Sequence, residues 1–594
     1  MASLHHPTGY REPFIDLTRE EPTDSRFNVA QNNVKPLVIG ISYGKVVRVS
    51  NEAITRSSVS DYDNLANDGY NTMIGIGDAF STVNYTNEVD YEIDGTTNPD
   101  RIHWLDNTCS PPSVVASSDV SGGTLAAGDY DYAVTSENSH GETTISNIAT
   151  VHLLATGKNL VSWVGVDEHA TSQHVYRGAS GGTLYLLKDI STKGTRSYID
   201  DGTDVITSTE APATNTCLRK PANAAEYFIS YTYRDKSNIG NLGRYFNPSD
   251  GYADHDRTSQ IGVCLDIMMS AYPTGQGCGE VLVIGLDEDD VASDELSAYQ
   301  AALTTAENIT EVINIVPCTY NDGVRAAVAN HCAQMSNGEN IKPRIATLGG
   351  SADDWGPADS TGTVMAHIAA LTPNSSGGEL IRYVANGGVD YKLYDETGSY
   401  TWVEKPAWPL CAAYAGRRAA IPDPSSGIAQ SVIGYGKLRL TKTRGLDYTN
   451  RVQREYVGSV GALVFVYSNT PDANGVGHIQ LVDDQTIYTI SAYYNEASIV
   501  EIDLLLARYI LTSLQERDLL GKKLTNSLKT QITSTIFDCE TVYYIKNWIL
   551  ELGAVTLSAY ALDPKRKVQV QYTYGPYFNL KGIYISRQFV YTTG

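Results

Sequence analysis

The stretch GEVLVIGLDEDD, residues 279–290, decides how the centre of this chain is read. Its run Val281–Leu286 is apolar without alternation, which fits a strand covered on both faces. SDELSAYQAALTTAEN (293–308) follows with Leu296, Tyr299 and Leu303 at helical spacing. Then come EVINIVP (311–317) as a strand, NDGVRAAVANHCAQMSN (321–337) as a helix and PRIATLGG (343–350) as a third strand. Strand, helix, strand, helix, strand predicts a parallel α/β unit. MAHIAAL (365–371) and ELIRYVA (379–385) add a further helix and strand, so an α/β domain is expected over 258–410.

Toward the N-terminus the texture becomes β-rich. PLVIGISYGKVVRVS (36–50), NTMIGIGDAFSTVNYT (71–86), VDYEID (89–94) and RIHWLDNT (101–108) read as strands, and AEYFISYTYRD (225–235) resumes them with Tyr227, Ile229, Tyr231 and Tyr233 in phase. This predicts a β-rich domain over 35–108 and 218–257. Residues 109–217 interrupt it: they are poor in Lys and Arg, rich in Gly, Ser and Thr, and broken into short strands such as GDYDYAVT and NLVSWVGV. They resemble a fibronectin type III or immunoglobulin-like β-sandwich. The insert is framed by Asn107-Thr108-Cys109 and Asn215-Thr216-Cys217, which predicts that Cys109 and Cys217 are neighbours at the insertion neck, unbonded in a reducing cell. Residues 1–34, polar and without a period, read as an arm, and its His5-His6 pair lacks further metal ligands.

Toward the C-terminus the helical stretches 497–521 and TVYYIKNWILELG (541–553) precede two strand-length runs in VQVQYTYGPYFNLKGIYISRQFVYTTG (568–594). Val568, Val570, Tyr572 and Tyr574 alternate with polar residues; Ile583, Ile585, Phe589 and Tyr591 share one parity. A strand in such a place is either tucked into its own fold or donated to another chain. The expected layout is a C-terminal core domain over 411–580 and a strand arm over 581–594. The fold class expected for the whole is multidomain α+β.

The composition narrows the function. The 594 residues suggest about four domains. Tyr outnumbers Phe 40 to 9, a bias toward aromatics that sit half exposed at contacts. A formal charge of −24 argues against nucleic acid or an anionic membrane as a partner of the whole surface. Neither a signal leader nor a run of about 20 apolar residues is read, so neither secretion by that route nor membrane insertion is indicated. The eight Cys have no C-x-x-C spacing, which argues against zinc and against a disulfide scaffold. One local basic stretch stands out: Lys437, Arg439, Lys442, Arg444, Arg451 and Arg454, read either as a solvated face or as a contact for an acidic partner.

Catalytic chemistry is thinly represented. Asp287-x-Asp289 after an apolar strand matches the first motif of haloacid dehalogenase-like phosphotransferases, where the first Asp is the nucleophile and Mg²⁺ bridges to phosphate. Such a site needs a partner Lys and a second acidic pair; Lys342 precedes its strand, and Asp353 and Asp354 fall in a Gly/Pro/Ser-rich loop. Acids leading into a helix also serve as caps. No G-x-G-x-x-G or Walker loop is found, and no G-x-S-x-G forms an elbow from a strand into a helix, so no catalytic residue, metal ligand or cofactor is assigned.

The ordered set of segments resembles the tail sheath proteins of contractile bacteriophage tails. GEVLVIGLD, EVINIVP, NDGVRAAVANHCAQM and PRIATLGG resemble that family's α/β domain. CAAYAGRRAAIPDPSSGIAQSVIGYGKLRL (411–440), ARYILTSLQERDLLGKKLT (507–525), TVYYIKNWILELGAV (541–555) and VQVQYTYGPYFNLKGIYIS (568–586) resemble its C-terminal domain. The resemblance covers 258–594 well and 35–108 with 218–257 less specifically; the insert is not a fixed family part. It implies a structural, non-enzymatic subunit that stacks in hexameric rings around a tail tube and contracts without nucleotide. It implies tube, baseplate and tail terminator proteins as partners, a place in the virion after assembly in the host cytoplasm, and terminal arms that add strands to neighbouring subunits. The strand carrying Ile583, Ile585, Phe589 and Tyr591 would then be donated, and the basic stretch would face the tube or a neighbour. The rival readings are an adhesin built around the sandwich module and, third, the phosphotransferase.

Overall fold

The computed structural model describes residues 34–579 apart from 66–69, 79–82, 95–100, 120, 270–277, 338–341, 351–359, 372–376, 395–398, 430–431, 435–439, 445–450, 469–477 and 560–567. It divides into two compact bodies, one comprising the chain up to Lys45 and from Lys236 onward, the other Val46–Asp235.

In the first body seven strands make one sheet. In chain order they are β1 (Lys35–Ile41), β2 (Leu242–Tyr245), β3 (Val281–Leu286), β4 (Ile313–Pro317), β5 (Arg344–Gly349), β6 (Ile381–Val384) and β7 (Ala462–Leu463). The spatial order is β2-β3-β1-β4-β5-β6-β7. Only β2 with β3 is antiparallel; every other neighbouring pair is parallel. The helices that matter here are α1 (Pro248–His255), α2 (Gln260–Met269), α3 (Glu288–Ala306), α4 (Asp322–Ser336), α5 (Trp408–Ala419), α6 (Ala497–Glu516) and α7 (Asn526–Ile545), followed by a hairpin of β8 (Ile549–Ala559) and β9 (Val568–Pro576).

The unbroken apolar runs are explained by burial on both faces. Leu37, Ile39, Leu282, Ile284, Ile313 and Ile315 pack with Tyr299 and Leu303 of α3 and Val324 and Val328 of α4. The intervening Val38, Val281, Val283 and Val316 pack with Ile261 and Leu265 of α2 and Leu410 and Tyr414 of α5. Each fully buried aliphatic side chain contributes about 1.5–3 kcal/mol, and the period-2 alternation of the strand sends half to each face.

Three expectations need correction. The strand Lys35–Ile41, assigned to the β-rich domain, lies inside the parallel sheet between β3 and β4. Its run PLVI, buried at both parities, carries the same signature as β3. The chain leaves the sheet through Ser42–Gly44, with Gly44 at φ +78°, a left-handed turn that glycine takes without a Cβ clash. Likewise β2 and α1, within the expected 218–257 portion, belong to the first body. Finally, the helix expected over 541–553 stops at Ile545. Asn547 takes φ +58°, which ends the helix, and Ile549 begins β8. The helix lies upstream, over Asn526–Ile545, where Leu528, Ile532, Ile536, Cys539 and Tyr543 form one buried stripe despite many β-branched residues.

A buried ionic cluster ties α6 to the sheet. Arg418 on α5 donates through Nε to Glu501 Oε2 on α6 at 3.0 Å and lies 3.4 Å from Asp484. Tyr414 donates to Asp484 at 2.7 Å, as does the Ile428 amide at 2.9 Å. Arg382 on β6 lies 3.7 Å from Glu501 and donates to the Ala497 carbonyl at 3.2 Å. All four charged residues are buried.

In the second body, Lys45–Thr55, Glu226–Asp235, Tyr70–Asp78 and Asn84–Tyr85 form a four-stranded sheet, and Tyr62–Asn64, Arg101–Trp104 and Tyr91–Asp94 a three-stranded one. Trp104 and Tyr227 both donate to Asp63, at 2.8 and 3.0 Å. Between residues 113 and 200 two further sheets pack face to face through Val114, Tyr132, Val134, Val161, Trp163 and Val175. One holds Ser113–Asp119, Lys158–Val164 and Ser197–Asp200; the other is built on Gly128–Asn138 and Ser172–Ala179.

Removing one partner of a buried ion pair costs about 3–5 kcal/mol because the other charge stays buried. Glu501→Leu is therefore expected to lower the stability of the first body by about that amount, read as a fall in the urea midpoint followed by circular dichroism.

Candidate strand-addition site

The hairpin β8–β9 is amphipathic. Val555 and Leu557 on β8 and Val570, Tyr572 and Tyr574 on β9 pack onto the core beside α6 and α7, while Thr556, Ser558, Gln569, Gln571 and Thr573 face out. Leu552 also faces in, although it lies an odd number of residues from Val555. A bulge makes this possible: Leu552 opposes Tyr574 and Val555 opposes Tyr572, so Gly553 and Ala554 together face Thr573 and the side-chain parity is reset. Glycine is required there, since a Cβ at position 553 would lie 1.8 Å from the Thr573 carbonyl oxygen. The Ala554 amide is satisfied by Thr573 Oγ1 at 3.0 Å.

Two carboxyls lie beneath the hairpin, Asp503 half-buried and Glu540 buried. Tyr572 and Tyr574 point their hydroxyls at Asp503 Oδ1 of α6, at 3.5 and 3.4 Å; burial raises the Asp503 pKa. Glu540 of α7, fully buried, faces the Gly553 amide and has no side-chain partner among the described residues. Burial pushes its carboxyl up to about 7.

Among the described residues this sheet has two strands, so β8 and β9 each keep one unpaired edge. Beside β8 runs a groove of about 550 Å³ lined by Thr530, Thr533, Ser534 and Phe537 of α7 and by Val555 and Leu557, with Lys529 and Asp538 also on its wall. An unpaired edge next to a half-apolar groove is the geometry of strand addition: main-chain groups supply hydrogen bonds and the groove takes alternate side chains. Past β9, Phe578 meets the Tyr493 ring at 5.1 Å and Asn579 Nδ2 donates to Ser498 Oγ at 2.7 Å. Ile583, Ile585, Phe589 and Tyr591 lie outside the described residues.

The other sequence-derived candidates fall elsewhere. Lys437 and Arg439 lie outside the described residues. Lys442 and Arg444 are on the strand Leu440–Arg444, in register with Asp390 and Gly388, and Arg451 and Arg454 are on the helix Arg451–Gly458, where Arg454 is half-buried. Cys109 and Cys217 are side by side, the Cys109 amide donating to the Cys217 carbonyl at 2.7 Å. Asp287 caps α3 by accepting from the Asp289 amide at 3.1 Å and pairs with Lys236 at 2.9 Å. Lys342 donates to the Glu307 carbonyl at the end of α3, at 2.6 Å. Asp353 and Asp354 lie outside the described residues.

One polar array was not signalled by the sequence. The C-terminal ends of β3, β1 and β4 mark the reversal of strand order where such sheets hold ligands. Here Ser42 Oγ meets His255 Nδ1 at 2.8 Å, His255 Nε2 meets the Tyr245 hydroxyl at 2.8 Å, and Tyr245 donates to Asp254 at 3.0 Å. Burial lowers His255 to about 4, so it is neutral at pH 7 with Nε2–H donating to Tyr245. A Cβ on Gly285 would lie 2.8 Å from Ser42 Cβ: the array fills the space between strand ends and ties them together.

No family model and no curated protein matches the chain. Solved structures similar to it are contractile sheath proteins. The anti-feeding prophage helical sheath in its contracted state is 10% identical over 60% of this chain and 89% of that one, with a TM-score of 0.43. The contracted sheath complex of an extracellular contractile injection system, PVC, is 8% identical over 59% and 87%, at 0.42. The sheath tail protein of Desulfitobacterium hafniense is 10% identical over 73% and 81%, at 0.33.

Glu540 carries more protons folded than unfolded between the ordinary carboxylate range and about pH 7, so stability falls as pH rises through that window. Hydrogen exchange at the β8 and β9 amides is expected to quicken, beyond its intrinsic increase, between pH 5 and 8, and Glu540→Gln to remove that extra dependence. Gly553→Val is expected to abolish hairpin amide protection while leaving the seven-stranded sheet protected.

Proposed function

We propose that this chain is the sheath subunit of a contractile tail or tail-like particle. The observation that carries the reading is the β8–β9 sheet, two-stranded and unpaired at both edges among the described residues, with a side-chain groove beside it, in a chain whose sequence places a further strand-forming segment immediately downstream. Each added main-chain bond contributes about 0.5–1.5 kcal/mol net, and burial of alternate side chains adds to it. Copies joined this way form a mesh in which strands hold while the bodies re-pack, so extension and contraction are two packings of one linkage. In this reading the subunits stack as hexameric rings around a tube protein, between baseplate and terminator proteins, in a virion or injection particle assembled in the host cytoplasm, and contraction drives the tube through the host envelope. The 109–217 module decorates the outside, and the basic residues from Lys437 to Arg454 face the acidic surface of the tube or a neighbour. No step calls for a nucleotide, a metal or a cofactor.

Negative-stain microscopy of the full chain beside a version ending at Leu580 tests this. Tubes or rings from the full chain and monomers from the shortened one are expected. Well-behaved monomers from both would overturn the reading and favour the adhesin.

A further inference from the structure

We propose that the insertion neck is a thiol oxidation site: Cys109 and Cys217 join as a disulfide when the folded protein meets an oxidising medium. The two residues lie on the segments by which the chain enters and leaves the inserted sheets. Thr108 and Leu218 form an antiparallel bridge, flanked by the Cys109 amide on the Cys217 carbonyl and the Arg219 amide on the Asn107 carbonyl, both at 2.7 Å. Cys109 and Cys217 are thus directly opposite, and residues so placed have Cα atoms about 5.5 Å apart, inside the roughly 4.4–6.8 Å that a disulfide spans. Their side chains leave the same face of the paired segments.

The neck is held in place before any sulfur chemistry occurs. Asn138 Nδ2 donates to the Leu218 carbonyl at 2.7 Å and to the His169 carbonyl at 3.2 Å. Asn215 bonds both cysteines, donating to the Cys109 carbonyl at 2.8 Å and accepting from the Cys217 amide at 3.1 Å. The entropy of bringing the two thiols together is already spent on the fold, which favours the bonded form. A second pair of neighbouring thiols is less suited. Cys264 and Cys318 are 3.5 Å apart, but they join a helix to a strand end in a filled core, where a Cβ on Gly40 would lie 2.7 Å from Cys318 Cβ.

With glutathione disulfide as the oxidant, one neck thiolate attacks a sulfur of the reagent and releases one glutathione thiolate. The second neck thiolate then attacks the protein sulfur of the mixed disulfide and releases the other. Two S–H bonds are lost, one protein S–S bond forms, two electrons pass to the reagent, and the protons end on two glutathione thiols. Both cysteines are buried, so the first attack waits on local opening of the neck. The product closes the residues between Cys109 and Cys217 into a covalent loop.

The test uses the full chain, refolded from urea in a buffer of reduced and oxidised glutathione, then alkylated and digested without reduction. The expected result is a Cys109–Cys217 linked peptide in most molecules and a fall in free thiols from eight to six. Cys109→Ser is expected to abolish the link and keep seven free thiols. If the chain does not refold, the same count is made on native protein held in oxidised glutathione for several days. Retention of eight thiols in either format, or linkage of a different pair, overturns the proposal.

Discussion

The cluster of Arg418, Glu501, Asp484 and Arg382 is the constraint on which the first body depends. It joins a helix on one face of the parallel sheet, a strand within it, the 423–428 loop and the helix that carries the hairpin. Buried charges of this kind add little net stability compared with apolar packing, but they admit few alternative arrangements. Arg418 also donates to the Pro424 carbonyl at 3.1 Å and to the Ser426 carbonyl at 2.5 Å, so the loop after α5 is fixed by the same group. The strand-addition site therefore sits on a foundation set by ionic geometry, while its inner face is held by ordinary aromatic and aliphatic packing.

The centre of the fold was legible because its signals are local and redundant. The apolar runs at 281–286 and 313–317 and the helical spacing at Tyr299 and Leu303 all survive in the sheet and its covering helices. The strand Lys35–Ile41 was misplaced because nothing local says which of two sheets a buried strand joins; that is fixed by its partners some 245 residues downstream. The helix over Asn526–Ile545 was placed too far along because its Thr and Ile content weakens the intrinsic preference, and only the tertiary contacts of its buried stripe override it.

The site was readable in part. The alternation of Val568, Val570, Tyr572 and Tyr574 gave β9 and its inward face correctly. Its partner β8 was hidden by the bulge, which breaks the period that reveals a strand. The carboxyls of Asp503 and Glu540 gave no clear sign, since an acid in a helix usually faces water. Likewise Ser42, His255 and Tyr245 are far apart or unpatterned in sequence and meet only because β1 sits beside β3. Asp287, which a motif search singles out, turns out to have ordinary work as a cap and an ion-pair partner.

The contact between Asn579 and Ser498 defines a load path. Ser498 lies on α6 one turn before Glu501, the residue gripped by Arg418. A pull on the chain beyond Asn579 is shared between the backbone leading to β9 and the start of that helix, which is anchored in turn by the ionic cluster. These two contacts, Asn579 on Ser498 and Phe578 on Tyr493, are therefore loaded before the β8–β9 ladder, and they yield before its hydrogen bonds do.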